Sequence, residues 1–166
     1  MSIENVKAHF RKWDMENHVL EFSVSSATVT EAALALHTDE QRIAKTLSFM
    51  VDEHPILIVT AGDARVDNKK YKSTFHKKAS MLKPDQVLDL IGHPVGGVCP
   101  FGIKDGVSVY LDVSLKRFET VFPACGSANS AIEVTMEELE RFSGSKEWVD
   151  VCKGWETADE NRQAAG

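Results

Sequence analysis

No two cysteines in this sequence stand at a metal or redox spacing. The three present, Cys99, Cys125 and Cys152, are odd in number and include no C-x-x-C pair. That argues against a disulfide framework and fits a reducing compartment. It gives no support to a zinc site either, so neither metal nor cofactor is expected. No apolar run approaches the ~20 residues of a membrane helix. The first thirty residues hold no basic segment followed by an apolar one, so no signal peptide is expected and the chain reads as cytoplasmic. A nucleophile elbow (G-x-S-x-G), H-E-x-x-H, a Walker loop and G-x-G-x-x-G are all missing. Internal repeats and low-complexity stretches are missing too.

What remains is an ordinary globular chain of 166 residues, 43% hydrophobic and 27% charged. A chain of this size buries roughly 68–70% of its unfolded surface and needs no disulfide staple. We expect one domain over residues 1–156 and a disordered polar tail over 157–166. The net charge of −6 argues against a general nucleic-acid binder, but it is unevenly spread. Arg65, Lys69, Lys70, Lys72, Lys77, Lys78 and Lys83 face only Asp67 within their window, a local +6 that leaves −12 for the rest. Such a patch can engage a few phosphates, or it can be a solvated lysine-rich helix.

Hydrophobic spacing sets the expected elements. Ile3, Val6, Phe10 and Trp13 share a helical face behind a capping Ser2. A short strand follows near His18–Ser23. Thr30 is expected to cap a helix through Ala35, and Thr38 with Gln41 reads as a capping box. Ile43 to Val51 alternates as a strand, a turn spans Glu53 to Pro55, and Ile56 to Val59 reads as a strand covered on both faces. A basic helix is expected over Asn68–Lys77 and another over Pro84–Ile91, with proline at its favoured first position. Val107, Val109 and Leu111 alternate as a strand. Val121–Phe122 and Ile132–Val134 suggest two more around a Gly-Ser-Asn turn. Thr135 with Glu138 is a capping box for a helix to Phe142, and a last strand is expected near Trp148–Cys152. Strands outnumber long helices without strict alternation. The fold class is therefore α/β of the α+β type, a mixed, curved, barrel-like sheet with peripheral helices.

Four places carry candidate chemistry. Lys45 falls on the apolar strand face with Ile43, Leu47 and Phe49. A lysine there is costly to desolvate without an anionic partner, which suits it to hold a phosphate or polarise a carbonyl; alternatively it snorkels to water. The second is the loop Gly96-Gly97-Val98-Cys99-Pro100. It lies in a stretch, Gly92–Gly102, that holds four of the ten glycines and two of the five prolines. Its amides can approach an ester carbonyl, or it can be a plain turn. The third is Gly126-Ser127-Ala128-Asn129-Ser130, small polar residues that either line a pocket or form a hairpin turn. The fourth is the basic segment, preceded by Gly62-Asp63-Ala64-Arg65 at a strand end. There Asp63 can position a ligand hydroxyl or cap the next segment.

Lys45 within Ile43–Leu47, the Gly-Asp-x-Arg run at Gly62–Arg65, the Gly96–Pro100 loop and the Ala-Cys-Gly run before Ile132-Glu133-Val134 occur in one order. Together they resemble the YbaK/prolyl-tRNA-synthetase-associated editing family over about Ser26 to Phe142. The resemblance implies a barrel-like mixed sheet and deacylation of mischarged tRNA without a metal, often proline tRNA carrying cysteine, alanine or another small residue. It implies that Lys45 meets the acceptor end or the ester, and that Gly96, Gly97 and Pro100 shape a backbone site for the carbonyl. Asp63, Arg65, Val98, Cys99, Gly126, Ser127, Asn129 and Ser130 are expected to bind substrate. Lys69, Lys70, Lys72 and Lys77 are expected to meet tRNA phosphates, and prolyl-tRNA synthetase is a candidate partner. The Gly126–Ser130 turn is poorer in glycine and basic residues than in other members.

Two other readings compete. A non-catalytic module would bind tRNA or a synthetase without ester turnover. A thiol hydrolase would use Cys99 with His93, six residues apart in the glycine-rich loop.

Overall fold

The computed structural model describes residues 2–155; the expected polar tail at 157–166 lies outside them. Helix α1 (Ser2–Phe10) buries Val6 and Phe10 completely. It stops before Trp13, which sits in a tighter turn at Arg11–Trp13. Ser2 lies within the first turn instead of capping it, with its hydroxyl hydrogen-bonded to Nδ1 of His93. The strand expected at His18–Ser23 shrinks to β1 (Leu20–Glu21), because Glu16–His18 forms another tight turn.

Helix α2 (Val29–Leu36) is capped by Thr28, not Thr30. The Thr28 hydroxyl accepts from the Glu31 amide at 3.1 Å, whereas Thr30 is already helical and bonds Glu40 at 2.6 Å. No capping box forms at Thr38. Asp39 precedes a tight turn over Glu40–Arg42, and the Thr38 hydroxyl accepts from the Arg42 guanidinium at 3.3 Å.

Strand β2 (Ile43–Val51) has the expected bounds and forms a hairpin with β3 (His54–Ala61). The turn falls one residue earlier than expected. Asp52 and Glu53 form its two-residue loop with φ of 48° and 64°, the left-handed pair that matches strand twist. Strand β4 (Arg65–Val66) leads into α3 (Asn68–Phe75), where Asp67 accepts from the Lys69 and Lys70 amides at 2.9 and 3.2 Å. Left-handed His76 stops this helix short of Lys77. Helix α4 (Pro84–Ile91) matches its expected span and ends at Gly92.

The remaining elements are β5 (Ser108–Asp112), β6 (Thr120–Pro123), β7 (Ser130–Ala131), β8 (Val134–Thr135), α5 (Met136–Ser143), β9 (Glu147–Val149) and β10 (Cys152–Lys153). The Thr135–Glu138 capping box forms as expected. The strand expected at Trp148–Cys152 divides in two. Between its halves, the Val151 amide donates to the buried Asp112 carboxylate at 2.9 Å.

The main sheet runs β8-β6-β2-β3-β5-β9, with β1-β7 and β10-β4 as small antiparallel pairs. The central β2/β3 hairpin is antiparallel, while β6 joins β2, β5 joins β3 and β9 joins β5 in parallel. The expectation of a mixed, curled sheet with peripheral helices is borne out. The expected pairing around the Gly-Ser-Asn turn holds only in part: Val121 faces Val134, but Ser130–Ala131 leaves to pair with β1. One apolar cluster runs from Val6 to Cys152. A smaller one, Ala32, Ala33, Ile43 and Phe122, fixes α2 over the start of β2. Among the described residues, no helix is long and apolar enough to cross a membrane.

Candidate functional site

A cavity of about 300 Å³ opens beside β2. Lys45, Thr46, Leu47 and Ser48 of the strand line it, with Val29 and Ala32 of α2, Leu82 and Val87 near α4, and Phe122 and Ala124 by β6. Gly96 and Val98 contribute from the glycine-rich loop, Ser130 and Ala131 from β7, and Ser26 to Thr28 from the approach to α2. These walls come from six separate stretches of chain, and the second cluster explains how they converge: α2 can only bury Ala32 and Ala33 by lying over Ile43 and Phe122.

Lys45 is half-buried and its amine donates to the Gly62 carbonyl at 3.5 Å. Burial pushes its pKa below the usual lysine range, and the nearby Asp63 carboxylate opposes that shift. Among the described residues, Lys45 is the one charged side chain lining the cavity.

The glycine-rich loop divides in its contributions. Gly96 takes φ of 93°, and a side chain there would stand 3.3 Å from the Ala27 methyl across the cavity edge. Gly97 is buried, and its amide donates to the Pro94 carbonyl at 3.0 Å. Pro100 and Cys99 are buried behind the lining. The Cys99 thiol has no exposed surface, donates to the Phe101 carbonyl at 3.5 Å, and is pushed up to about 12 by burial. His93 stands 3.5 Å from it, but its Nε2–H donates to the Phe101 carbonyl at 2.6 Å, and burial lowers its pKa. This pair is a packed, protonated thiol beside an engaged imidazole, which disfavours the thiol-hydrolase reading.

In the third segment, Ser130 reaches the cavity, while Gly126, Ser127 and Asn129 do not line it. Gly126 (φ 90°) abuts the start of α1: a side chain there would stand 2.8 Å from the Ser2 hydroxyl. Ser127 donates to Ser130 at 2.7 Å, and Asn129 donates to the Phe22 carbonyl at 2.9 Å. The turn therefore supports Ser130 from behind.

Asp63 also lies off the lining. Both its oxygens are held by Arg117, at 2.6 and 3.0 Å, so it neither caps α3 nor stands free. Arg65 is exposed on β4. Of the lysines, Lys69 and Lys72 are exposed on α3. Lys70 pairs with Asp150 at 3.1 Å and Lys77 with Asp52 at 3.1 Å. Sequence reasoning missed Arg117, which has no local signal, and the Ser26–Thr28 wall. Thr28 with Glu31 three residues on was a readable cap.

A mixed sheet with a small, largely apolar cavity and one lysine on its wall defines a domain built around a pocket of small-ligand size. The chain belongs to the aminoacyl-tRNA editing domain family, whose model matches residues 24–142. It is 59% identical to the uncharacterized protein YwhH of Bacillus subtilis (strain 168), over 94% of this chain and all of that one. It is 31% identical to proline–tRNA ligase of Streptococcus equi subsp. equi (strain 4047), over 61% of this chain but only 16% of the ligase. The chain thus spans about a sixth of that enzyme's length. Among solved structures, it resembles a candidate trans-editing enzyme for prolyl tRNA synthetase with a TM-score of 0.83 and 27% identity, covering 92% of this chain and 98% of that one.

Proposed function

We propose that the protein hydrolyses the ester of mischarged aminoacyl-tRNA in trans, in the cytoplasm, acting on proline tRNA that carries a small non-cognate amino acid such as cysteine or alanine. The observation that carries this reading is the cavity itself. At about 300 Å³ it stands at the small end of ligand pockets, and among the described residues its sole charged lining group is Lys45. An aminoacyl ester is an activated ester, so orientation and electrostatic stabilisation supply much of what its hydrolysis needs.

In this reading Lys45 anchors the acceptor end or polarises the ester. Gly96 and Val98 bring the loop backbone against the acyl carbonyl. Gly97 and Pro100 set that loop's path, since the Gly97 amide is engaged by Pro94. Ser130 and the apolar wall enclose the amino-acid side chain, with Ser127 and Asn129 holding Ser130 in place. Lys69 and Lys72 meet acceptor-stem phosphates, and prolyl-tRNA synthetase is the partner that supplies the mischarged product.

The experiment is deacylation of proline tRNA charged separately with alanine, cysteine, serine and proline, by wild type and Lys45→Ala. Rapid loss of one mischarged species, with Pro-tRNA spared and Lys45→Ala inactive, supports the reading. Losses no faster than in buffer, with or without the synthetase, overturn it. Binding of tRNA without turnover would then make the chain a recognition module.

A further inference from the structure

Lys45 stands beside a carboxylate yet makes no ion pair among the described residues. Its hydrogen bond is a long one, 3.5 Å, to the Gly62 carbonyl, and Asp63 follows immediately in the chain. Both Asp63 oxygens are instead taken by the two terminal nitrogens of Arg117, at 2.6 and 3.0 Å. This fork is held from several sides. The Arg117 Nε–H donates to the Ser114 carbonyl at 2.9 Å and Nη1 donates to the Trp155 carbonyl at 3.2 Å. The Trp155 ring lies 5.1 Å from the guanidinium carbon. The turn that carries Asp63 is fixed as well: a side chain on Gly62 would stand 2.0 Å from the Glu40 carbonyl oxygen, and the Ala61 amide donates to the Ser114 hydroxyl at 3.1 Å. Such a bidentate fork is a geometry that lysine cannot reproduce.

We propose that Arg117 is a positioning residue that occupies both oxygens of Asp63 and so keeps the Lys45 amine free to meet the substrate. Without Arg117, the Asp63 carboxylate turns to Lys45, closes a direct ion pair and withdraws the amine from the cavity. The other charged or titratable groups near Lys45 are Arg65 on β4 and Cys152 on β10. The Cys152 thiol is fully buried and held protonated, with its pKa raised by burial first and by Asp112 second. Among the described residues, Asp63 is therefore the one anion available to capture the amine. The inference rests on the proposed deacylase only where Lys45 acts on an ester; the competition for Asp63 is a property of the free protein.

The test titrates the Lys45 side-chain nitrogen by NMR in the full chain without tRNA, in wild type, Asp63→Asn, Arg117→Ala and the double variant. Asp63→Asn removes the anion and lowers the midpoint. Arg117→Ala releases the anion and raises it, by about one pH unit, as for a charge pair within a few ångströms. The double variant falls back to the Asp63→Asn value. A merely structural role would move both single variants in the same direction, and that result, or no change in Arg117→Ala, overturns the proposal. Deacylation adds a second readout: Arg117→Ala raises KM, and adding Asp63→Asn restores it. If the midpoints behave as stated while no ester is cleaved by any variant, the positioning stands and the deacylase reading fails. Melting curves for all four proteins identify any variant that has lost its fold, and Arg117→Lys, which keeps the charge without the fork, then replaces Arg117→Ala with the same expected direction.

Discussion

A methyl group added at Gly97 would stand 2.6 Å from the amide nitrogen of Ser127. The two loops that flank the cavity are thus in backbone contact, and the contact leaves no room for a side chain. Gly97→Ala must push them apart. Overpacking of this kind costs roughly 1–3 kcal/mol. The expected result is a lower denaturation midpoint, read by urea unfolding, together with weaker deacylation because Gly96 and Ser130 move with their loops.

The buried Cys99 thiol supplies a second prediction. Its pKa of about 12 leaves almost no thiolate at neutral pH. Native protein should resist iodoacetamide at Cys99, read by intact mass, and Cys99→Ser should keep its kcat/KM for mischarged tRNA. Rapid alkylation with matching loss of activity would revive the thiol mechanism.

Phosphate contacts should come from the exposed lysines of α3. Lys69→Glu with Lys72→Glu should raise KM and reduce the salt slope by about 0.7–0.9 per lost phosphate contact. Reversing Lys77, which faces Asp52, should do less. The measurement is KM against salt concentration, and an unchanged slope in the double variant removes this helix from the tRNA interface.

His93 makes stability depend on acid. Burial lowers its folded pKa below the unfolded value of about 6.5. Below 6.5 the unfolded chain therefore binds more protons, and stability falls as pH drops through the folded pKa. Above 6.5 this contribution is complete. His9, whose pKa is also lowered by burial, adds in the same direction. Unfolding midpoints measured from pH 7 to pH 5 should decline in wild type, with a shallower slope in His93→Gln.

Local structure is legible in the sequence where one stretch of chain contains the whole cause. The β2 alternation, the Pro84 start and the Thr135–Glu138 box all lie within a single element. The Thr28 cap, which replaces the expected cap at Thr30, also carries a local sign, Glu31 three residues on. Other features depend on partners far apart in the chain. Asp63 and Arg117 are 54 residues apart, and nothing near either one marks the other. The cavity walls meet because α2 packs over Ile43 and Phe122. The Lys45 face was legible from alternation, but its surroundings required Gly62 and Cys152 to arrive from other elements.

The matched family segment closes at residue 142, yet Trp155 still holds Arg117 and the Val151 amide still satisfies Asp112. Val6 and Phe10, at the other end, fill the main core. Anyone cutting this domain out, or fusing it to a larger enzyme, would have to carry both flanks along. An excised 24–142 fragment would lose the clasp behind its lysine and a wall of its core.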